Sequence, residues 1–243
     1  MTRHRSGLVP DAPPCRRGRD TLPELIGPDD RRFPDAVRRR LASTLPGLAA
    51  QLRMAPRPIY RPDPALESTL RPAAALLLIY PHNDEWHVPL TVRGAGLRHH
   101  TGQVALPGGR LDHPEETIEQ AALREAHEEI GVVPADVEVL GRLTPIPVVV
   151  SGHLLQPVVG VARQRPSFSV AAAEVERLIE LPLTRLLQHD AVEWEERMRM
   201  LPPGGMMNVP YFAVEGARVW GATAMVLAEF IALIEELEPE LDA

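Results

Sequence analysis

The spacing of apolar positions changes several times along this chain, and each change predicts an element. Between Pro34 and about Leu52, Val37, Leu41, Leu45 and Leu48 recur at helical spacing, which predicts a short helix. Residues 55–71 (APRPIYRPDPALESTLR) are broken by proline throughout and read as a linker. Ala73 to Tyr80 is a continuous apolar run of strand length and reads as a buried strand. Asn83 and Asp84 then form a turn, and Trp86 to Val92 supplies a second strand, so the pair predicts a hairpin. Residues 94–112 are glycine-rich and irregular. A helix is expected over 118–130, strands near 137–144, 155–162, 192–199 and 209–214, and a last amphipathic helix from about Ala222 to Leu237. Strands placed before, around and after a central helix point to an α/β fold, a mixed sheet with helices on both faces. No internal repeat is present.

Length and composition narrow this further. The 243 residues, 44% of them hydrophobic, suit one domain of about 150–200 residues with extensions. Residues 1–33 are rich in Pro, Arg and Asp and lack periodicity, so a disordered leader is expected there. The helix and linker then occupy 34–71, and the folded domain 72–238. Net charge is −7 with both signs interspersed, which argues against nucleic acid as a partner. All 26 cationic side chains are arginine, so phosphate here meets a guanidinium fork or a histidine and never an ammonium. The single cysteine, Cys15, excludes an intramolecular disulfide and argues against a structural cysteine zinc site. No apolar run reaches the roughly 18–20 residues of a membrane span. The Arg-rich start lacks the apolar core of a secretory signal, and Asp11, Asp20, Asp29 and Asp30 oppose a mitochondrial transit peptide. A cytoplasmic enzyme without a membrane partner is the expectation.

The chemistry concentrates in Leu106 to Val132, LPGGRLDHPEETIEQAALREAHEEIGV. Thr117 followed three residues later by Gln120 is a capping-box pattern, and Gly131 is a natural stop. Ile118, Ala122, Leu123, Ala126 and Ile130 fall on one side, the expected buried face. Glu125 and Glu129 are one turn apart, Glu128 lies beside them, and Arg124 stands one turn before Glu128. Like charges at this spacing repel, which makes sense if a hard cation such as Mg²⁺ or Mn²⁺ neutralises them. Gly108 and Gly109 end a strand just before the loop that feeds the helix, where the backbone can approach phosphate closely.

Gly109, Arg124, Glu125, Glu128, Glu129 and Gly131 resemble the Nudix box, the loop-helix-loop motif of the Nudix hydrolases. The family spacing fits Glu115 by one count and Glu116 by another, so the loop is one residue longer than usual. Upstream, LTVRGAGLRHHTGQVALPGGRLD (Leu90 to Asp112) is similar to the additional motif of coenzyme A pyrophosphatases, a subgroup whose loop is likewise longer by one. Leu90, Thr91, Arg93, Leu97, Arg98, His100, Gly102, Val104, Pro107, Gly108 and Gly109 match it. Gly94 stands where a small hydroxyl residue is usual, and Leu106 where phenylalanine is. The stretch VWGATAMVLAEF near the end also resembles that subgroup.

The resemblance implies a Nudix-like α/β/α sandwich and a metal-dependent hydrolase that cleaves coenzyme A or its acyl derivatives to 3′,5′-ADP and (acyl-)4′-phosphopantetheine. ADP-ribose, NADH or another nucleoside diphosphate derivative is the alternative substrate. It implies Glu125, Glu128, Glu129 and the Gly109 carbonyl as ligands of Mg²⁺ or Mn²⁺, Arg124 as the residue that orients the carboxylates, and Arg93, Arg98, His100, Gly108 and Gly109 as substrate-binding positions. A small-molecule nucleotide is the implied partner, and a homodimer is compatible with it. Glu128, Glu129, Glu174 and Glu176 stay open as the general base. Trp194, Trp220, Tyr211 and Phe212 are aromatic candidates for stacking on a base, with a core position expected for Trp220 above all.

Overall fold

The computed structural model describes residues 32–59, 68–94, 103–188, 191–199 and 204–237. The expected disordered leader therefore lies outside the described residues, apart from Arg32 and Phe33, which open a helix.

The central strand, β1 (Arg71–His82), is buried from Ala73 to Tyr80. Its alternate residues serve two cores. Ala75, Leu77 and Ile79 belong to one apolar cluster, and Ala74, Leu76, Leu78 and Tyr80 to the other. Burial on both faces is why the sequence there is continuously apolar rather than alternating. Asn83 and Asp84 both adopt positive φ (47° and 60°), the two-residue turn that matches strand twist, and lead into β2 (Glu85–Arg93).

Two short strands follow, β3 (Val104–Ala105) and β4 (Gly108–Arg110), then helix α3 (Ile118–Ile130). The sheet continues with β5 (Val137–Arg142), β6 (Ile146–Val148), β7 (His153–Ala162) and β8 (Val175–Pro182). Its path runs β3-β2-β1-β7-β5, with β4 beside β1, β6 beside β7 and β8 beside β2. β1 and β7 are parallel from Arg71↔His153 to Ile79↔Val161, while the other strand pairs described in the sheet are antiparallel, so the sheet is mixed as expected. After the short helix α4 (Leu183–Leu187), strands β9 (Val192–Met198), β10 (Met206–Val214) and β11 (Ala217–Trp220) make a separate antiparallel sheet. Helix α5 (Gly221–Glu235) follows.

The predicted helix from Pro34 to Leu52 is two helices. α1 (Arg32–Leu41) ends at the turn before Pro46, and α2 (Gly47–Gln51) runs on into a 3₁₀ turn at Leu52–Met54. Proline cannot sit inside a continuous helix without losing a backbone bond. These helices belong to the core: Phe33, Ala36, Val37, Leu41 and Met54 join the cluster formed by α5 and one face of the sheet, and Phe33 meets Trp86 at a ring separation of 5.3 Å. Helix α3 covers the opposite face. Among the described residues no helix is long and apolar enough to cross a membrane.

One buried charge holds the α1–α2 side in place. Glu229 of α5 is fully buried and accepts hydrogen bonds from Gln51 Nε2 (2.8 Å), Thr144 Oγ1 (2.7 Å), and the Gly47 and Thr144 N–H groups (3.1 and 3.2 Å). Removing it strands several donors away from water, a more serious loss than that of a single bond. Glu229→Ala is expected to cost about 3 kcal/mol of stability in urea unfolding; a loss below about 1 kcal/mol would show the network to be incidental.

Candidate functional site

Helix α3 begins and ends where its sequence dictates. The Gln120 N–H donates to Thr117 Oγ1 (3.2 Å) while the Thr117 N–H donates to Gln120 Oε1 (2.8 Å), a complete capping box. Gly131 closes the helix at φ 74°, a left-handed conformation that glycine adopts without strain. Its buried face is narrower than expected: Ala121, Ala122, Ala126 and Ile130 are buried, whereas Ile118 and Leu123 are only partly so. Small side chains bring the helix backbone close to β1 and β4.

Two glycines make that approach workable, for different reasons. A Cβ at Gly108 would lie 2.3 Å from the Ala74 carbonyl oxygen, so this glycine serves the pairing of β4 with β1. A Cβ at Gly109 would lie 2.2 Å from Glu125 Oε1 and 2.4 Å from Glu125 Cδ. The space beside Gly109 is therefore filled by the carboxylate of Glu125.

Arg124 organises the acids around it. Its Nε donates to Glu116 Oε1 (2.8 Å), its Nη1 to Glu125 Oε1 and Glu128 Oε2 (both 3.1 Å), and its Nη2 to the Arg110 carbonyl (2.9 Å). Glu116 is buried and also accepts from the Asp112 N–H (2.7 Å), whereas Glu115 projects into solvent at 83% side-chain exposure. Of the two glutamates that the sequence left open, Glu116 is thus the one that meets the helix. The Arg124 hydrogen bonds hold its carboxyl below the ordinary range, against the opposing effect of burial.

Glu125 and Glu129 are in the opposite condition. Burial raises the Glu125 pKa despite the Arg124 bond that lowers it. Glu129 is buried more deeply, and burial drives its carboxyl from 4.5 to about 8; Arg93 opposes this, Glu125 and Glu174 reinforce it, and a hydrogen bond from the Gly108 backbone opposes it. Its Oε2 is buried with no hydrogen-bond partner among the described residues. An unsatisfied buried carboxylate oxygen is costly, and here it lies among other acids. Glu128 is 55% exposed and, among the described residues, pairs with Arg124. Among the described residues no three acid, imidazole or thiol groups converge into a closed ligand cage. The donors themselves, hard oxygens with one orphaned and buried, fit a divalent ion such as Mg²⁺ or Mn²⁺.

The segment before β8 is fastened to this site. Ser169 N–H donates to the Ile130 carbonyl (3.0 Å), Ala171 N–H to the Glu129 carbonyl (2.9 Å), and Gly94 N–H to the Glu174 carbonyl (2.9 Å). The acidic helix, the end of β2 that carries Arg93, and Glu174 are joined by backbone.

The NUDIX domain family model matches residues 69–203 of this chain. An uncharacterized Nudix hydrolase, NudL, from Salmonella typhimurium (strain LT2) is 34% identical over 171 residues, which span 70% of this chain and 87% of NudL; NudL of Salmonella typhi matches to the same extent. The chain belongs to the Nudix family. It is a Nudix hydrolase, acting on pyrophosphate bonds. Among solved structures it is similar to the Nudix hydrolase RenU from M. smegmatis (27% identity, TM-score 0.39, covering 48% of this chain and 73% of RenU). It is also similar to the NUDIX domain of Shewanella oneidensis NrtR, solved with ADP ribose (25% identity, TM-score 0.40, covering 53% of this chain and 82% of that domain).

In this Nudix hydrolase, Arg93, Gly108, Gly109, Arg124, Glu125 and Glu129 are brought together, with Glu128 at the solvent edge. Arg98 and His100 lie outside the described residues. Glu176 is exposed on β8, and its neighbour Glu174 is the one that acts on Glu129. The aromatic candidates divide. Tyr211 and Phe212 are core, Trp194 is 52% exposed, and Trp220, expected in the core, is partly exposed with the Arg197 guanidinium 4.2 Å from its ring centroid. Cation stacking, which the apolar pattern does not register, holds Trp220 there.

Gly109→Ala should push Glu125 aside and lower hydrolysis roughly a hundredfold while leaving the circular dichroism spectrum unchanged; undiminished turnover would contradict the fit of Glu125 against this glycine. Glu129 also makes a pH prediction for the metal-free protein. Its folded pKa is raised, so below about 4.5 both states are protonated and the group is neutral in effect. As pH rises toward 8 the unfolded chain ionises first, and stability falls by up to about 1.4 kcal/mol per pH unit. Glu129→Gln should flatten that fall in denaturation curves recorded across this window, and parallel curves would refute the burial of this charge.

Proposed function

We propose that this Nudix hydrolase cleaves the pyrophosphate of coenzyme A or its acyl derivatives, releasing 3′,5′-ADP and (acyl-)4′-phosphopantetheine. The observation that carries the metal-assisted hydrolysis is Glu129: a buried carboxyl group with an orphaned oxygen, near Glu125 and Arg93 and beside the Gly108–Gly109 pair of β4. Glu125, Glu128, Glu129 and the Gly109 carbonyl would hold the divalent ion. When bound, such an ion polarises phosphoryl oxygens and activates water.

The remaining roles belong to the chain. Water adds to one phosphorus, the bridging P–O bond breaks, and a carboxylate of this set takes the proton. Arg124 donates hydrogen bonds to three carboxylates and a backbone carbonyl, so it orients the acids and leaves the substrate to others. Arg93, Arg98 and His100, with the Gly108–Gly109 backbone, form the proposed phosphate-binding set. Arg93 fits this role because it ends β2 beside Glu129, where a guanidinium fork can meet phosphate oxygens. The choice of coenzyme A rests on the motif from Leu90 to Asp112 and its one-residue-longer loop.

The test is a panel of coenzyme A, acyl-coenzyme A, ADP-ribose, NADH and nucleotides, incubated with the pure protein and Mg²⁺ or Mn²⁺, with products identified by mass. Coenzyme A should turn over well above the rest, and Glu129→Gln should abolish detectable turnover of all. Equal or better cleavage of ADP-ribose or NADH overturns the substrate assignment, and an active Glu129→Gln overturns the proposed metal set.

A further inference from the structure

Two guanidiniums and an imidazole gather on the face of the sheet that α3 does not cover. His153 opens β7 in register with Arg71 at the start of β1, and Arg110 ends β4 in register with Ala73. Residues in register on neighbouring strands share a face, as do alternate residues of one strand. Arg71, Arg110 and His153 therefore stand together across three adjacent strands. Ala75 and Leu155, further along the same face, pack into the cluster of α1 and α5, which identifies this face as the one opposite the acidic helix.

No acid answers these groups. Among the described residues no carboxylate pairs with the side chain of Arg71 or Arg110. Burial, then Arg71 and Arg110, hold the His153 pKa below its ordinary value, so both guanidiniums act on the ring as repulsion. The imidazole Nδ1 lies 3.1 Å from Ser151 Oγ, and Nε2 is buried with no hydrogen-bond partner among the described residues. A buried polar atom without a partner and adjacent like charges both cost free energy. One ligand relieves both: an anion that neutralises the guanidiniums and pairs with Nε2.

We propose that Arg71, Arg110 and His153 form a second anion site, which takes a phosphate monoester group. The site shares β4, only three residues long, with the Gly108–Gly109 pair beside the acidic helix. The Arg110 side chain serves one face of that strand, its own carbonyl accepts from Arg124 Nη2 at 2.9 Å, and Gly109 meets Glu125 on the other face. Among the described residues β4 pairs with β1 alone. The phosphate has two sources. It is either the outlying 3′-phosphate of the substrate, which rests on the coenzyme A reading above, or a separate phosphate ester bound beside the reaction.

The experiment uses the full chain with a chelator present, so that the acidic site recruits no phosphate through a metal. Inorganic phosphate and 3′-AMP are titrated by calorimetry into wild type, Arg71→Gln, His153→Asn and Glu129→Gln, with melting curves confirming that each is folded. Wild type and Glu129→Gln should bind, and Arg71→Gln and His153→Asn should each bind at least about tenfold more weakly, as expected for a lost charge-assisted hydrogen bond. No binding by wild type, or unchanged binding by both site variants, overturns the proposal. KM for coenzyme A and for its 3′-dephospho form then separates the sources. A rise of about tenfold in Arg71→Gln for coenzyme A alone assigns the site to the substrate's own phosphate. Unchanged KM with lost phosphate binding assigns it to a separate ester. If coenzyme A is not hydrolysed yet Arg71→Gln loses phosphate, the anion site stands and the catalytic reading falls; the reverse pattern removes the anion site alone.

Discussion

The acidic helix depends on one guanidinium. Arg124 bonds Glu116, Glu125, Glu128 and the Arg110 carbonyl, and through them fixes the loop, the helix and β4 relative to one another. One positive charge does not balance the acids around it. The consequence is a division of labour visible in their ionisation: Glu116, bonded by Arg124, is held below the ordinary carboxylate range, while Glu125 and Glu129 are pushed above it. Glu116 is a structural acid satisfied by the protein. For Glu125 and Glu129 the nearby guanidiniums of Arg124 and Arg93 do not offset burial, and a hard cation is the chemistry that supplies the missing positive charge.

The rest of the fold serves that helix. A strand buried on both faces gives the sheet a rigid centre, with α3 on one side and α1, α2 and α5 on the other. The alanines of α3 and the two glycines of β4 let a helix carrying several acids sit directly against the sheet edge. The segment from Ser169 to Glu174 closes the arrangement by bonding the end of α3 and the end of β2. Arg93 and the acids are thereby held by a common backbone frame rather than by side chains alone.

Much of this was legible in the sequence because it is local. The cap at Thr117 and Gln120, the stop at Gly131 and the span of α3 are written in neighbouring residues. The hairpin turn at Asn83 and Asp84 and the core strand between them and Ala73 are legible for the same reason. What was not legible depends on distant partners. The choice between Glu115 and Glu116 is made by Arg124 eight residues on and by the Asp112 N–H. β4 is recognisable as a strand only by its pairing with β1, and β8 by its pairing with β2. The burial of Glu229 has no local signature at all, since its partners come from residues 47, 51 and 144. The trio of Arg71, Arg110 and His153 is likewise created by strand order, not by sequence proximity.

The central claim is that Glu125 and Glu129 are gathered beside Gly109 to hold a divalent cation. Titration of Mn²⁺ into wild type, Glu125→Gln and Glu129→Gln, followed by the electron paramagnetic resonance of the free ion, tests it without reference to any substrate. Wild type should bind Mn²⁺, and each variant should bind it at least about tenfold more weakly. Equal Mn²⁺ affinity in all three proteins would contradict the account.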